Sequence, residues 1–98
     1  MEILKPYRAR INDLDRQIID LLRARYDVIE EVGHLKASHN IPAILQDRVD
    51  EVRENAARMA AEKGLDENFI RHLYAQLIEH SCALEETIKQ TLKKKKAS

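Results

Sequence analysis

The stretch LLRARYDVIEEVGHLKASH, residues 21–39, decides the fold, because it continues an apolar stripe that steps by three and four positions. Such spacing marks one face of an α-helix that packs against other elements. The stripe consists of Ile11, Leu14, Ile18, Leu22, Ile29 and Val32. Three cations, Arg8, Arg25 and Lys36, fall on the same face. The sequence therefore predicts a long first helix whose buried side carries positive charge.

Few helix breakers interrupt the chain, and no strand-like alternation is sustained, so we predict an all-α protein of three helices. The first helix is expected at about 4–39, because Pro6 is tolerated in a first turn and Pro42 is the breaker that follows. Gly33 lies inside this helix, where the missing side chain can let another backbone come close.

Two further helices follow from local signals. The second should begin near 45–47 and end at Lys63, before the capping residue Gly64. The third should begin after the N-cap Asp66 and lie deep between its neighbours, because it is apolar on more than one side. The lysine-rich end 93–98 is expected to be frayed and solvated, which leaves 1–92 as a single domain.

The composition narrows the classes of function. The 98 residues have a formal net charge of zero, so we expect no nucleic-acid partner despite the C-terminal lysines. No apolar run is long enough to span a membrane, and the charged N-terminus is unlike a signal peptide. A single cysteine and four scattered histidines offer neither a disulfide framework nor a metal site. We therefore expect a soluble, cytoplasmic protein without metal or cofactor.

The length of the first helix predicts a homodimer. At about 36 residues and 1.5 Å per residue it would be about 54 Å long, more than one small chain can cover. If two first helices pair antiparallel across a two-fold axis near residue 19, Arg8 of one chain falls opposite residue 30 of the other. One site would then receive Arg25 and Lys36 from one subunit and Arg8 from its partner.

Buried cations need counter-charges, which either protein carboxylates or a ligand must supply. Few acidic residues lie on the stripe, so the pattern favours an anionic ligand, and cations between apolar walls suit a small dicarboxylate. Arg48 on the second helix and Ser81 and Glu85 on the third add polar groups to apolar faces. Cys82 beside them is expected to be a small apolar wall.

Several stretches, in this order and spacing, resemble the all-helical AroQ-type chorismate mutases. They are RARINDLDRQIIDLLRAR (8–25), VGHLK (32–36), IP (41–42), DR (47–48), GLD (64–66) and LIEHS (77–81). The resemblance implies an intertwined homodimer with the chorismate mutase II fold. It also implies a Claisen-type rearrangement of the dicarboxylate chorismate to prephenate, without metal or cofactor.

The resemblance further implies roles for single residues. Arg25, assisted by Arg8 of the other subunit, would hold the side-chain carboxylate of chorismate. Lys36 would donate to the ether oxygen and the adjacent carboxylate, Arg48 would lie near the ring carboxylate, and Ser81 would supply a hydroxyl. Three residues would form apolar walls: Val32, Ile78 and Cys82.

Two residues depart from the common pattern of the family. Many bacterial members carry glutamine at the position of Glu85, where a carboxylate would repel the oxyanion that develops on the ether. Glu85 must therefore be protonated to donate, and burial favours that neutral form. At Val49 these mutases often have a glutamate that binds the ring hydroxyl, so its absence points toward the related isochorismate-pyruvate lyases. We predict a chorismate mutase, with the lyase as the alternative.

The residues alone also leave structural roles open. Arg25 and Lys36 could lay their stems on apolar surface and send their charges to water. Arg48 could form only a surface ion pair, and Glu85 could pair with Lys89 one turn on. A non-catalytic helical dimerisation module would show cation–carboxylate pairs across its interface and no cavity beside them.

Overall fold

Three helices make up the part of the chain that the computed structural model describes, residues 2–97. A short 3₁₀ turn at Glu2–Leu4 leads into α1 (Lys5–Ser38), which is followed by α2 (Gln46–Glu62) and α3 (Glu67–Ala97). α3 packs against both other helices, whereas α1 and α2 do not pack against each other within the described residues. The predicted all-α fold with a long first helix is confirmed, and helix bounds differ from those predicted by a residue or two, except at the end of α3.

The turn between α2 and α3 follows its local sequence. Gly64 has a φ of 74°, and the N–H of Leu65 donates to the carbonyl of Ala60 at 2.8 Å, which is a Schellman-type cap. The carboxylate of Asp66 then accepts the N–H of Phe69 at 2.9 Å. Asp66 is thus the N-cap that the sequence predicts for the third helix.

The lysine run is helical in the structure, whereas the frayed and solvated end at 93–98 stays a prediction. α3 continues through the four lysines to Ala97, and Ser98 lies outside the described residues. Lysine is a good helix former, and cations are favoured near the negative end of a helix. These two effects oppose the fraying expected at a chain end.

The N-terminal half of α1 is not covered by the rest of the chain. Every residue from 2 to 21 is exposed, including the apolar side chains of Ile11, Leu14 and Ile18. The radius of gyration is 17.6 Å, against about 13 Å for a compact chain of this length. α1 therefore carries an apolar face that its own chain leaves open to solvent.

α3 is buried only in its middle. Ile78, Ser81 and Glu85 are buried, whereas Phe69 and Leu73 near its start are exposed. The prediction that this helix lies deep between neighbours therefore holds for the segment that faces α1 and α2 together. None of the described helices is apolar over a length that could cross a membrane.

Gly33 lies where α1 meets α3. A Cβ atom at this position would be 2.9 Å from Cδ1 of Ile88 and 3.4 Å from Cα of Glu85. The close approach of another backbone, expected from the sequence, is confirmed.

We predict that Gly33→Leu lowers the free energy of unfolding by about 1–3 kcal/mol, because the added side chain overpacks the contact with α3. Helix propensity alone would favour leucine over glycine by nearly 1 kcal/mol, so a loss reports the steric conflict. Urea unfolding at a fixed protein concentration measures the change in the free energy of unfolding. The matched control is His34→Leu, which places the same residue at an exposed neighbouring position. Equal stability of the two variants would contradict the close approach.

Candidate active site

A cavity of about 230 Å³ between the three helices brings together eight of the nine predicted site residues. They are Arg25, Val32, Lys36, Arg48, Ile78, Ser81, Cys82 and Glu85. The ninth, Arg8, lies in the exposed N-terminal half of α1 and does not line this cavity.

Six other residues line the cavity without having been predicted as site residues: Val28, Ile29, Ala43, Leu45, Val49 and Val52. Four of them repeat at helical spacing, Ile29 on the first helix and Leu45, Val49 and Val52 at the second, so the pattern could have assigned them. Val28 lies off the stripe, and Ala43 lies in the α1–α2 connection, where no periodic signal exists.

Lys36 is held at the cavity by two partners. Its Nζ lies 2.7 Å from Oε1 of Glu85, and the two side chains are only 15 and 5% exposed. The same Nζ donates a hydrogen bond of 2.9 Å to the carbonyl of Ala43. Among the described residues no donor reaches Oε1 of Glu85 in hydrogen-bond geometry, so its contact with Lys36 is an ion pair. The Ala43 carbonyl takes one of the three ammonium protons, so Lys36 keeps at least one proton for a ligand even with Glu85 alongside.

The alternative partner of Glu85, Lys89, is engaged elsewhere. Lys89 donates from Nζ to the carbonyl of Ile41 at 2.6 Å, and Glu85 pairs with Lys36 across the α1–α3 contact instead. The pairing with Lys89 that helix spacing allowed is therefore not observed.

Arg25 is fixed through a hydroxyl. Its Nη1 donates to Oγ of Ser81 at 3.0 Å, and that hydroxyl donates in turn to the carbonyl of Leu77 at 2.8 Å. Ser81 thus bonds back to its own helix and also orients the arginine. Among the described residues no carboxylate forms a salt bridge with Arg25, although the side chain is half-buried. Its uncompensated charge favours an anionic ligand, because an unpaired buried charge is costly.

Arg48 and Cys82 form two edges of the cavity. Arg48 is exposed and pairs with Glu51 one turn on, which is the surface ion pair that the sequence allowed, although Arg48 also lines the cavity.

Burial raises the pKa of the half-buried Cys82 thiol, and the charge of Glu85 adds to this effect. Lys36 and Arg25 act in the opposite direction. A neutral thiol fits the apolar wall expected at this position.

The arrangement is suited to holding a small anion. Arg25 offers several donors in a planar fork, and Lys36 offers one further proton as a point charge. Apolar residues of all three helices, among them Val32, Val52 and Ile78, surround these two cations. Within residues 2–97 no three His, Cys, Asp or Glu side chains are grouped so that they could hold a metal ion.

Comparison with known proteins identifies the family to which this fold belongs. The family model of chorismate mutase type II matches residues 7–86. The chain belongs to the type II chorismate mutase family. The resemblance stated from the sequence is thereby confirmed, together with the all-α fold and the chorismate mutase class of enzyme that it implied.

Curated relatives include both mutases and a lyase. The 4-amino-4-deoxychorismate mutase of Streptomyces pristinaespiralis is 37% identical over 83 residues, which cover 85% of this chain and 64% of that protein. The 4-amino-4-deoxychorismate mutase of Streptomyces venezuelae is 35% identical over 85 residues, covering 87% of this chain and 82% of that protein. The isochorismate pyruvate lyase of Pseudomonas aeruginosa is 37% identical over 76 residues, covering 76 and 73%. The chain thus spans less than two thirds of the first of these relatives and more than two thirds of the other two.

Proposed function

We propose that the protein rearranges chorismate to prephenate in the cavity between its three helices. The observation that carries this proposal is the convergence of Arg25 and Lys36 on a cavity of about 230 Å³ with apolar walls. A small dicarboxylate with an ether oxygen matches this set of groups, and family membership agrees with the reaction. The rearrangement breaks the C–O bond of the ether as a C–C bond forms, and no proton is taken from the substrate.

Two physical effects would accelerate this reaction. Arg25 would grip a carboxylate through parallel hydrogen bonds, and the apolar walls would hold the flexible substrate in its compact chair-like conformer. Lys36, oriented by Glu85 and Ala43, would direct a remaining proton to the ether oxygen, where negative charge grows in the transition state. Removal of one such donor commonly raises a barrier by about 3–4 kcal/mol.

We further propose that the active protein is a homodimer in which the partner supplies Arg8. The exposed apolar face of α1, together with Phe69 and Leu73 of α3, supports an interface of this kind. An antiparallel pairing of the two α1 helices about residue 19 would bring Arg8 opposite Glu30, between Arg25 and Lys36. Arg8 would then add a second guanidinium to the carboxylate bound by Arg25.

The ring substituent of the substrate is the point on which relatives differ. Leu45, Val49 and Val52 make the α2 side of the cavity largely apolar, and Arg48, which is a donor only, leaves this side without a side-chain acceptor for a ring hydroxyl. The names of the two Streptomyces relatives make 4-amino-4-deoxychorismate a second candidate substrate. Isochorismate, with release of pyruvate and formation of salicylate, is the third. A location in the cytoplasm stays a prediction from the sequence.

We predict that the purified protein converts chorismate with a higher kcat/KM than 4-amino-4-deoxychorismate or isochorismate. Each compound is supplied separately, and the products are followed by chromatography and mass spectrometry. Lys36→Met should lower kcat by about a hundredfold or more, because it removes the donor to the ether oxygen. Faster release of salicylate from isochorismate would favour the lyase. Lack of turnover of all three compounds would contradict an enzyme and favour the dimerisation module.

The pH dependence of the reaction tests the role of Glu85. Glu85 faces Lys36 as a carboxylate in the structure, whereas only a protonated carboxyl group can donate to the ether oxygen. We predict that Glu85 takes up a proton when the substrate binds, so that kcat/KM falls as the pH rises. Glu85→Gln, which donates at every pH, should remove the fall. Glu86→Gln changes an exposed neighbour and should keep the wild-type profile. Identical profiles for the wild type and Glu85→Gln would contradict this role.

A further inference from the structure

The α1–α2 connection, residues 39–45, is tied to α1 at its start. Asn40 has a φ of 55°, a left-handed conformation that asparagine adopts more readily than most residues. The N–H of Ile41 donates to the carbonyl of Lys36 at 2.8 Å, so the cap that ends α1 closes on the backbone of Lys36. Movement of this connection is therefore coupled to the position of Lys36.

Two lysine side chains from different helices hold carbonyl groups of the same connection. Lys36 of α1 donates to the carbonyl of Ala43 at 2.9 Å, and Lys89 of α3 donates to the carbonyl of Ile41 at 2.6 Å. Ala43 is only 3% exposed and lines the cavity of the candidate site. The acceptor that orients the Lys36 ammonium thus lies two residues from the acceptor that Lys89 holds.

Lys89 itself lies outside that cavity. It lines a separate groove of about 780 Å³ formed by the C-terminal parts of α1 and α3, together with residues such as Ser38, Glu86 and Lys93. The influence of Lys89 on the reaction would therefore be indirect. Any effect of Lys89 on turnover has to pass through the connection that it holds.

We propose that Lys89 is a positioning residue for Lys36, and this inference rests on the proposed function. A charge-assisted hydrogen bond from Lys89 fixes Ile41 against α3, and this fixes Ala43 and the direction of the Lys36 ammonium. Loss of that bond lets the connection shift away from α3. Misplacement of a catalytic group by about 1 Å can cost about a hundredfold in rate, so a small shift is sufficient to be measured.

The test compares Lys89→Met with Lys93→Met, which removes an exposed lysine one turn further along the same groove. Lys89→Met should lower kcat by about tenfold and change KM by less than about twofold, because the donor to the ether oxygen acts mainly in the transition state. Lys89→Arg, which keeps a cationic donor, should restore most of kcat, and Lys93→Met should match the wild type. Unchanged kcat in Lys89→Met, with only a lower melting temperature, would overturn the proposal.

A double variant shows whether the effect passes through Lys36. In the Lys36→Met background, Lys89→Met should cause no further loss, because the group that it positions is already gone. An equal loss in both backgrounds would overturn the proposal. If Lys89→Met does not fold, Lys89→Gln, which keeps a neutral polar head, takes its place in the same comparisons.

A measurement without substrate separates this inference from the proposed function. In NMR spectra, Lys89→Met should shift the side-chain signal of Lys36, and Lys93→Met should leave it unchanged. If the wild type converts none of the three compounds, the proposed function fails, and the shift of the Lys36 signal still decides the positioning role. An unshifted Lys36 signal in Lys89→Met would overturn that role.

Discussion

Burial of positive charge on the apolar face of α1 is the constraint on which the rest of the structure depends. The protein meets it differently for the two cations of α1 that line the cavity. Lys36 has a carboxylate and a carbonyl as partners, whereas the Arg25 guanidinium has only the Ser81 hydroxyl among the contacts of the described residues. Lys36 is thus already oriented and keeps a proton for a ligand, whereas Arg25 keeps a charge that an anion can neutralise. This division of roles is what a site for a small dicarboxylate needs.

The length of α1 links this site to assembly. Its 34 residues correspond to a helix of about 51 Å, and the half that carries Arg8 has no cover from its own chain. A second copy would bury that apolar half and would bring a further cation to the site in the same step. The exposed face and the position of Arg8 outside the cavity of its own chain thus have one common explanation. α1 would then both contribute to substrate binding and hold the two chains together.

Most of the fold could be predicted because the signals are local. The three-and-four spacing, Pro42, Gly64 and Asp66 define the helices, and helical geometry then places Arg25, Lys36 and Glu85 on faces that can meet. The contacts of Lys36 and Lys89 with Ala43 and Ile41 could not be predicted, since a backbone carbonyl is the same in every residue and leaves no mark in the sequence. The frayed lysine-rich end stays a prediction, although α3 is helical to Ala97 and lysine is a good helix former.

The central claim is that each site is completed by Arg8 from the other chain, and mixed dimers test it most directly. A chain with Arg8→Ala and a chain with Arg25→Ala are prepared separately, unfolded together and refolded as an equal mixture, and kcat is measured. If the site is shared, each mixed dimer has one site with both arginines and one site with neither. Random pairing makes about half of the dimers mixed, so activity should rise to about one quarter of the wild-type value. Activity no higher than the mean of the two separate variants would contradict the account.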